Sequence, residues 1–189
     1  MVPYFDKIKS MALKNLYLII PKNENDIYCI TAQLNSKLFD YYHKSKTSGE
    51  NKAFAQFTGE YIENFPCIIG KQDEFKELIE EIYLSKNTEQ KLINRFIKLL
   101  QSSFSNLIVN KKIETWYDMK FGEFRKELEK QKVAIPIKEL MDYQELFDTT
   151  AGQIKEVQNL INNSEKEINK LVYALYDLTS DEIQILENE

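Results

Sequence analysis

Along the first 70 residues the spacing of apolar positions keeps changing. From Gln72 onward it settles to the 3.6-residue period of amphipathic helices. The run Asn15-Leu16-Tyr17-Leu18-Ile19-Ile20, closed by Pro21, predicts a short strand, and Lys22 to Asn25 a polar turn. Ile27, Ile30, Leu34, Leu38 and Tyr41 recur at threes and fours. They predict one helix from Asp26, its N-cap, to about Tyr42. The stretch from His43 to Lys52 is polar, holds Gly49, and carries Lys44, Lys46 and Lys52. Apolar alternation then returns, and residues 53–58 and 61–69 predict two short strands or one bent strand ending at Gly70.

The remaining pattern is helical. Phe75, Leu78, Ile79 and Ile82 line one helix, and Asn87 or Thr88 caps a second carrying Leu92, Phe96, Leu99 and Leu100. Trp116 opens a further segment, with Gly122 as a break and Phe121, Phe124, Leu128 and Val133 as its apolar series. After Pro136 a long stripe runs from Leu140 to Ile161. Ser164 with Glu167 fits a capping box, which either starts a new helix or lies inside one long one. Ile168, Leu171, Val172, Leu175 and Tyr176 follow, and Thr179 or Ser180 caps a last short helix. The expected fold class is α+β: a small mixed α/β recognition unit over residues 1–70, then a helical half over 71–189 with long amphipathic C-terminal helices.

Charge narrows the function. The chain carries 25 Lys and Arg against 30 Asp and Glu, a net charge of −5, which disfavours a broadly basic nucleic-acid binder. Residues 1–60 nevertheless hold eight lysines against six acids, so a polyanion-facing surface is expected in the N-terminal third. With two cysteines, Cys29 and Cys67, and one histidine, a zinc site is not expected. The cysteines read as buried free thiols of a cytoplasmic protein. No apolar run reaches the ~18 residues of a membrane span.

No catalytic constellation emerges. The chain has no glycine-rich phosphate loop and no nucleophile elbow. His43 with Asp40 three residues before it could be read as a base and its orienter, but a helix-end histidine is the simpler reading. Glu77, Glu80 and Glu81 read as a solvated helix face, Trp116 as core, and of Tyr41 and Tyr42 one faces the core. The segment 43–58 is the candidate site. Lys44, Lys46 and Lys52 can neutralise phosphates, and Ser48, Asn51, Gln56 and Thr58 can donate to and accept from base edges.

Two stretches carry a family resemblance. Leu34-Asn35-Ser36-Lys37-Leu38 with Tyr41-Tyr42, a Gly-containing loop, then Phe57-Thr58, Tyr61-Ile62 and Phe65-Pro66 resembles a signature of the TaqI-like C-terminal specificity region. That region belongs to adenine-specific DNA methyltransferases and fused type IIG restriction-modification enzymes of bacteria. The tail from Glu167 to Ile183 is similar to that family's closing segment, with Asn169 where Asp is usual and Asp177 where Gly is usual. The segment around Trp116, Phe121, Phe124 and Leu128 also resembles one common in the family. The resemblance implies a non-catalytic target-recognition domain that reads double-stranded DNA. It implies a methyltransferase domain as partner, fused or separate, which would hold S-adenosylmethionine; its glycine and Asn-Pro-Pro-Tyr/Phe motifs do not occur in this sequence. The contrasting expectation is a helical protein-interaction module that binds its partner through residues 137–178.

Overall fold

The structure, a computed structural model, describes residues 17–47 and 59–188. Eight α-helices occur among them: α1 (Asp26–Leu34), α2 (Lys37–Thr47), α3 (Gly59–Glu63), α4 (Gln72–Ser103), α5 (Lys111–Glu114), α6 (Phe121–Lys130), α7 (Leu140–Leu175) and α8 (Ser180–Asn188). No strand occurs among the described residues, so the fold is all-helical and the α+β expectation is wrong. The stretch 17–21 is irregular, and residues 61–69, read above as strand, begin in α3 and continue as non-repetitive chain. Residues 53–58 lie outside the described residues. Short apolar runs cannot by themselves tell a strand from non-repetitive chain, and 66–69, exposed in all four residues, is of the second kind.

The chain divides into two compact units. Unit 1 comprises Met1–Glu81 with Asn163–Glu189, and unit 2 comprises Ile82–Asn162. In unit 2 the core gathers Ile93, Phe96 and Leu100 of α4, Phe124 and Leu128 of α6, Phe147 and Ile154 of α7, and Ile113 and Trp116 between α4 and α6. Trp116 is wholly buried and stacks on Phe96, ring centroids 3.9 Å apart. Phe147 meets the rings of Phe96, Trp116, Phe121 and Phe124 at 5.0–6.0 Å. Aromatic side chains carry the largest burial per residue, so this cluster dominates the unit's stability. In unit 1 a smaller core joins Leu34, Phe39 and Phe65, with Ile19, Ile30, Tyr42 and Tyr176 packed against it.

Helix ends follow hydrogen bonding more than sequence signals. The expected cap at Asn87 or Thr88 is absent: the Thr88 hydroxyl donates to the Leu84 carbonyl at 2.9 Å, and α4 runs straight through. Ser164 likewise lies inside α7, its hydroxyl donating to Glu81 Oε2 at 2.7 Å. The reciprocal capping box stands at Thr179 and Glu182. There the Thr179 N–H donates to Glu182 Oε2 at 2.8 Å, and the Glu182 N–H donates back to Thr179 Oγ1 at 3.4 Å. Both α6 and α7 close in Schellman geometry. Lys132 and Asp177 hold φ of 61° and 51°, and the N–H groups of Val133 and Leu178 return to the carbonyls of Leu128 and Tyr173. Asp177 therefore keeps the left-handed conformation that glycine adopts most cheaply. Gly122, expected as a break, is the second residue of α6.

Candidate nucleic-acid interface

The expected single helix 26–42 is two helices, and its N-terminal cap position is Asn25 rather than Asp26. The break falls at Asn35-Ser36, inside the motif that carries the family signature. Asn35 folds back, its Nδ2 donating to Thr31 O at 2.9 Å. Ser36 donates its hydroxyl proton to Gln33 O at 2.6 Å and accepts from Phe39 N at 3.3 Å, so it closes α1 and opens α2 together. The Lys37 N–H donates to Asn169 Oδ1 of α7 at 2.9 Å, a cap supplied from 132 residues away. This break rotates the buried face. Phe39, not Leu38, is the core residue of α2, at 2% exposed, and Leu38 is half-buried.

The two stretches that carry the resemblance meet here. Glu187 of α8 accepts from Lys37 Nζ at 2.6 Å and from the Tyr173 hydroxyl at 2.8 Å. The Lys37 ammonium, then the tyrosine hydroxyl, hold the Glu187 carboxyl below the usual carboxylate range. Burial, with the neighbouring carboxylate, pushes the Tyr173 hydroxyl up. Beneath them Gln33 is fully buried. Its Nε2 donates to Ile68 O at 2.7 Å, and its Oε1 accepts from Ile68 N at 3.0 Å. One side chain thereby fastens the segment after Phe65 in two-point fashion, as a neighbouring strand would. The Tyr176 hydroxyl lies 2.5 Å from Gln33 Oε1 and 2.8 Å from Pro66 O, tying α7 to the same segment. Cys29 is buried beside Gln33, whereas Cys67 is exposed, and both thiols are free. Desolvation of the sulfur, then the neighbouring Cys29, push the Cys67 thiol up to about 11.

The lysine segment is part helix. Lys44 and Lys46 belong to the last turn of α2, where the carbonyl end of the helix favours cations. Two residues apart, they point to different sides of the helix. Both are exposed, and the Lys46 ammonium stands 5.6 Å from the Tyr42 ring centroid. Ser48, Asn51, Lys52, Gln56 and Thr58 lie outside the described residues, as does Phe57. The two flanks of that stretch are joined, because the His43 and Tyr61 rings meet edge to face at 5.6 Å. His43 is thus a packing residue half-buried in α2. Tyr42 packs on Phe65 at 5.3 Å while Tyr41 remains exposed. Of the acidic face, Glu80 accepts from the Tyr28 hydroxyl at 3.1 Å and Glu81 from Ser164, so these carboxylates hold helices together.

Sequence reasoning missed Gln33, Ser36 and Tyr176. A polar residue recurring on an apolar face was the available signal for Gln33 and Ser36. Among the described residues no cluster of His, Cys, Asp and Glu could hold a metal, and no helix is long and apolar enough to cross a membrane.

Comparison with curated proteins and with solved structures found no match. Two family models match in succession. Residues 1–67 match the TaqI-like C-terminal specificity domain, and residues 69–172 match the family described as Domain of unknown function (DUF8810). The boundary between them falls at the segment clamped by Gln33, and the tail beyond Val172, which packs on α1 and α2, lies outside both ranges. Over more than half its length the chain belongs to the DUF8810 family, and its first 67 residues form a match to the TaqI-like C-terminal specificity domain.

Proposed function

We propose that this chain recognises a DNA target sequence on behalf of an adenine-specific DNA methyltransferase or restriction-modification enzyme. The catalytic part, with its S-adenosylmethionine, belongs to another region or subunit, and the setting is the cytoplasm. The observation that carries the reading is the specificity-domain match over residues 1–67. The convergence of the signature helices and the C-terminal tail in unit 1 supports it, because it gives the match a built scaffold.

In this reading α2 and α3 hold the ends of the stretch 48–58 against the duplex. Lys44, Lys46 and Lys52 contact phosphates, and Ser48, Asn51, Gln56 and Thr58 are the candidate base readers. The test is selection of bound duplexes from a randomised pool by the chain with its methyltransferase partner, followed by charge reversal of Lys44, Lys46 and Lys52 together. A single enriched motif whose binding is abolished by the reversal is expected. Enrichment of no motif would overturn the recognition reading, and unchanged binding by the reversed variant would overturn the loop assignment.

A second reading, a helical protein-interaction module, draws on the exposure of Ile137 and Met141, 90% and 83%, at the start of the 137–178 region. Retention of full DNA selection after Ile137→Glu and Met141→Glu, with no loss of partner binding, would exclude it.

A further inference from the structure

Charge is not divided between the folded units as it is along the chain. Unit 1 holds twelve lysines and arginines against nineteen acids, whereas unit 2 holds thirteen against eleven. The acidity of the whole therefore resides in the unit that carries the specificity match, and unit 2 is net cationic.

Within unit 2 a cleft of about 600 Å³ opens between the start of α6 and the first half of α7. Phe121 and Phe147, nearly buried, form its floor. Gly122 and Gly152 stand on its walls, and a Cβ added to either would meet no atom within 4 Å, so the space beside both is open. Lys120, Arg125 and Lys155 line it, with Asp148 as the one carboxylate. Arg125 reaches Glu129 at 3.4 Å through an exposed pair of the weak, solvent-screened kind. Among the described residues Lys120 and Lys155 have no ion-pair partner. Cations outnumber the carboxylate by three to one around an aromatic floor. Such an arrangement focuses a positive potential into the cleft. A tetrahedral phosphate anion is the chemistry that answers it, because a guanidinium can grip two of its oxygens while ammonium groups serve as point charges.

We propose that this cleft binds a phosphate group, presented by a DNA strand or by a free nucleoside monophosphate. Its volume falls within the range of about 300–1,000 Å³ usual for sites that enclose a small ligand. The site does not rest on the reading of residues 44–58. Nothing in the apolar periodicity of the sequence marks it, since Lys120, Arg125 and Lys155 each look like ordinary solvated positions.

The test uses the full chain, labelled with ¹⁵N and titrated at low salt with inorganic phosphate, adenosine 5′-monophosphate, and a duplex of about twenty base pairs as a multi-phosphate probe. The Gly122 and Gly152 amide resonances are followed. Both amides should shift with a phosphate-bearing probe, and Lys120→Gln with Lys155→Gln should weaken binding by about tenfold or more. If DNA is the source, the double variant loses duplex affinity and its log–log salt slope falls by about one, for the one phosphate that the two lysines share. If a free nucleotide is the source, adenosine 5′-monophosphate binding falls while duplex binding is unchanged. Gly152→Gln supplies a folded control: it fills open space and replaces a poor helix former, so it should block binding with the helical circular dichroism retained. The proposal is overturned if no probe shifts the two glycines, or if either variant binds every probe as the parent does. Charge reversal at Lys44, Lys46 and Lys52 should leave the cleft's nucleotide binding intact, which separates failure here from failure of the recognition reading.

Discussion

Replacing Gln33 by Leu keeps the volume of a fully buried side chain and removes its amide. The Ile68 N–H then loses its acceptor, 3.0 Å away. The Ile68 carbonyl retains Cys29 Sγ at 3.2 Å, and the Tyr176 hydroxyl retains Pro66 O. One stranded donor costs about 1–3 kcal/mol, and the other surrendered bonds, with the Ile68 and Cys29 carbonyls, the Cys29 sulfur and the Tyr176 hydroxyl, cost about 1 kcal/mol together because those partners keep other contacts. The expected loss is therefore about 2–4 kcal/mol. Equilibrium urea unfolding followed by far-UV circular dichroism measures it, with the fluorescence of Trp116, the chain's one tryptophan and a unit 2 core residue, as a second probe. Tyr176→Phe removes the other end of the shared bond. The double variant should cost less than the sum of the singles by about 0.5–1.5 kcal/mol, because each single already breaks that bond. A loss below about 1 kcal/mol for Gln33→Leu, or strict additivity with Tyr176→Phe, would refute the clamp.

Phe147→Ala should cost about 3–5 kcal/mol by thermal or urea unfolding, since four rings close on Phe147. Trp116→Phe should cost distinctly less, because it also removes an indole N–H that is buried with no hydrogen-bond partner. Asp177→Gly should stabilise the chain by roughly 0.5–1 kcal/mol, relieving a side chain at φ 51°; destabilisation in the same assay would count against the Schellman ending of α7. The Glu187 carboxyl is held low in the folded state, so its contribution is complete above the unfolded value of 4.5 and drains away as pH falls through the lowered folded value. Glu187→Gln should accordingly lower the melting temperature at pH 7, and the gap should narrow below pH 4.5; a gap that persists unchanged at pH 3 would show that packing, not charge, is at stake.

What was legible in the sequence was set by period. The helical character of 72–103 and 140–175, with clean 3.6 spacing, could be read directly though not the continuity of α4, and so could the core role of Trp116. Errors came where one residue type serves two purposes. Thr88 looks like a cap but satisfies its hydroxyl on Leu84, so α4 continues; of the two readings open for Ser164, the one inside a single long helix holds, its hydroxyl going to Glu81. Conversely Ser36 looked like a helix interior residue and is a cap, with the result that the buried face shifts from Leu38 to Phe39. The strand expected over 61–69 fails for a related reason. Its backbone finds a partner in the Gln33 side chain, and no ladder is needed. Lys44 and Lys46 could be named from sequence as exposed cations, but not their divergence around the last turn of α2. The cleft beside Gly122 and Gly152 was invisible for want of any local signature, because it exists only where α6 and α7 pack.

The bond from Lys37 to Asn169 has a consequence for synthesis. A ribosome adding about 5–20 residues per second exposes Lys37 well before Asn169 exists, and Glu187 is later still. The start of α2 therefore waits for a residue 132 positions further along the chain. A chain released before Asn169 would leave α2 without its cap. The signature helices are complete only once residues 169 and 187 have emerged, which couples the scaffold of the matched stretch to α7 and α8.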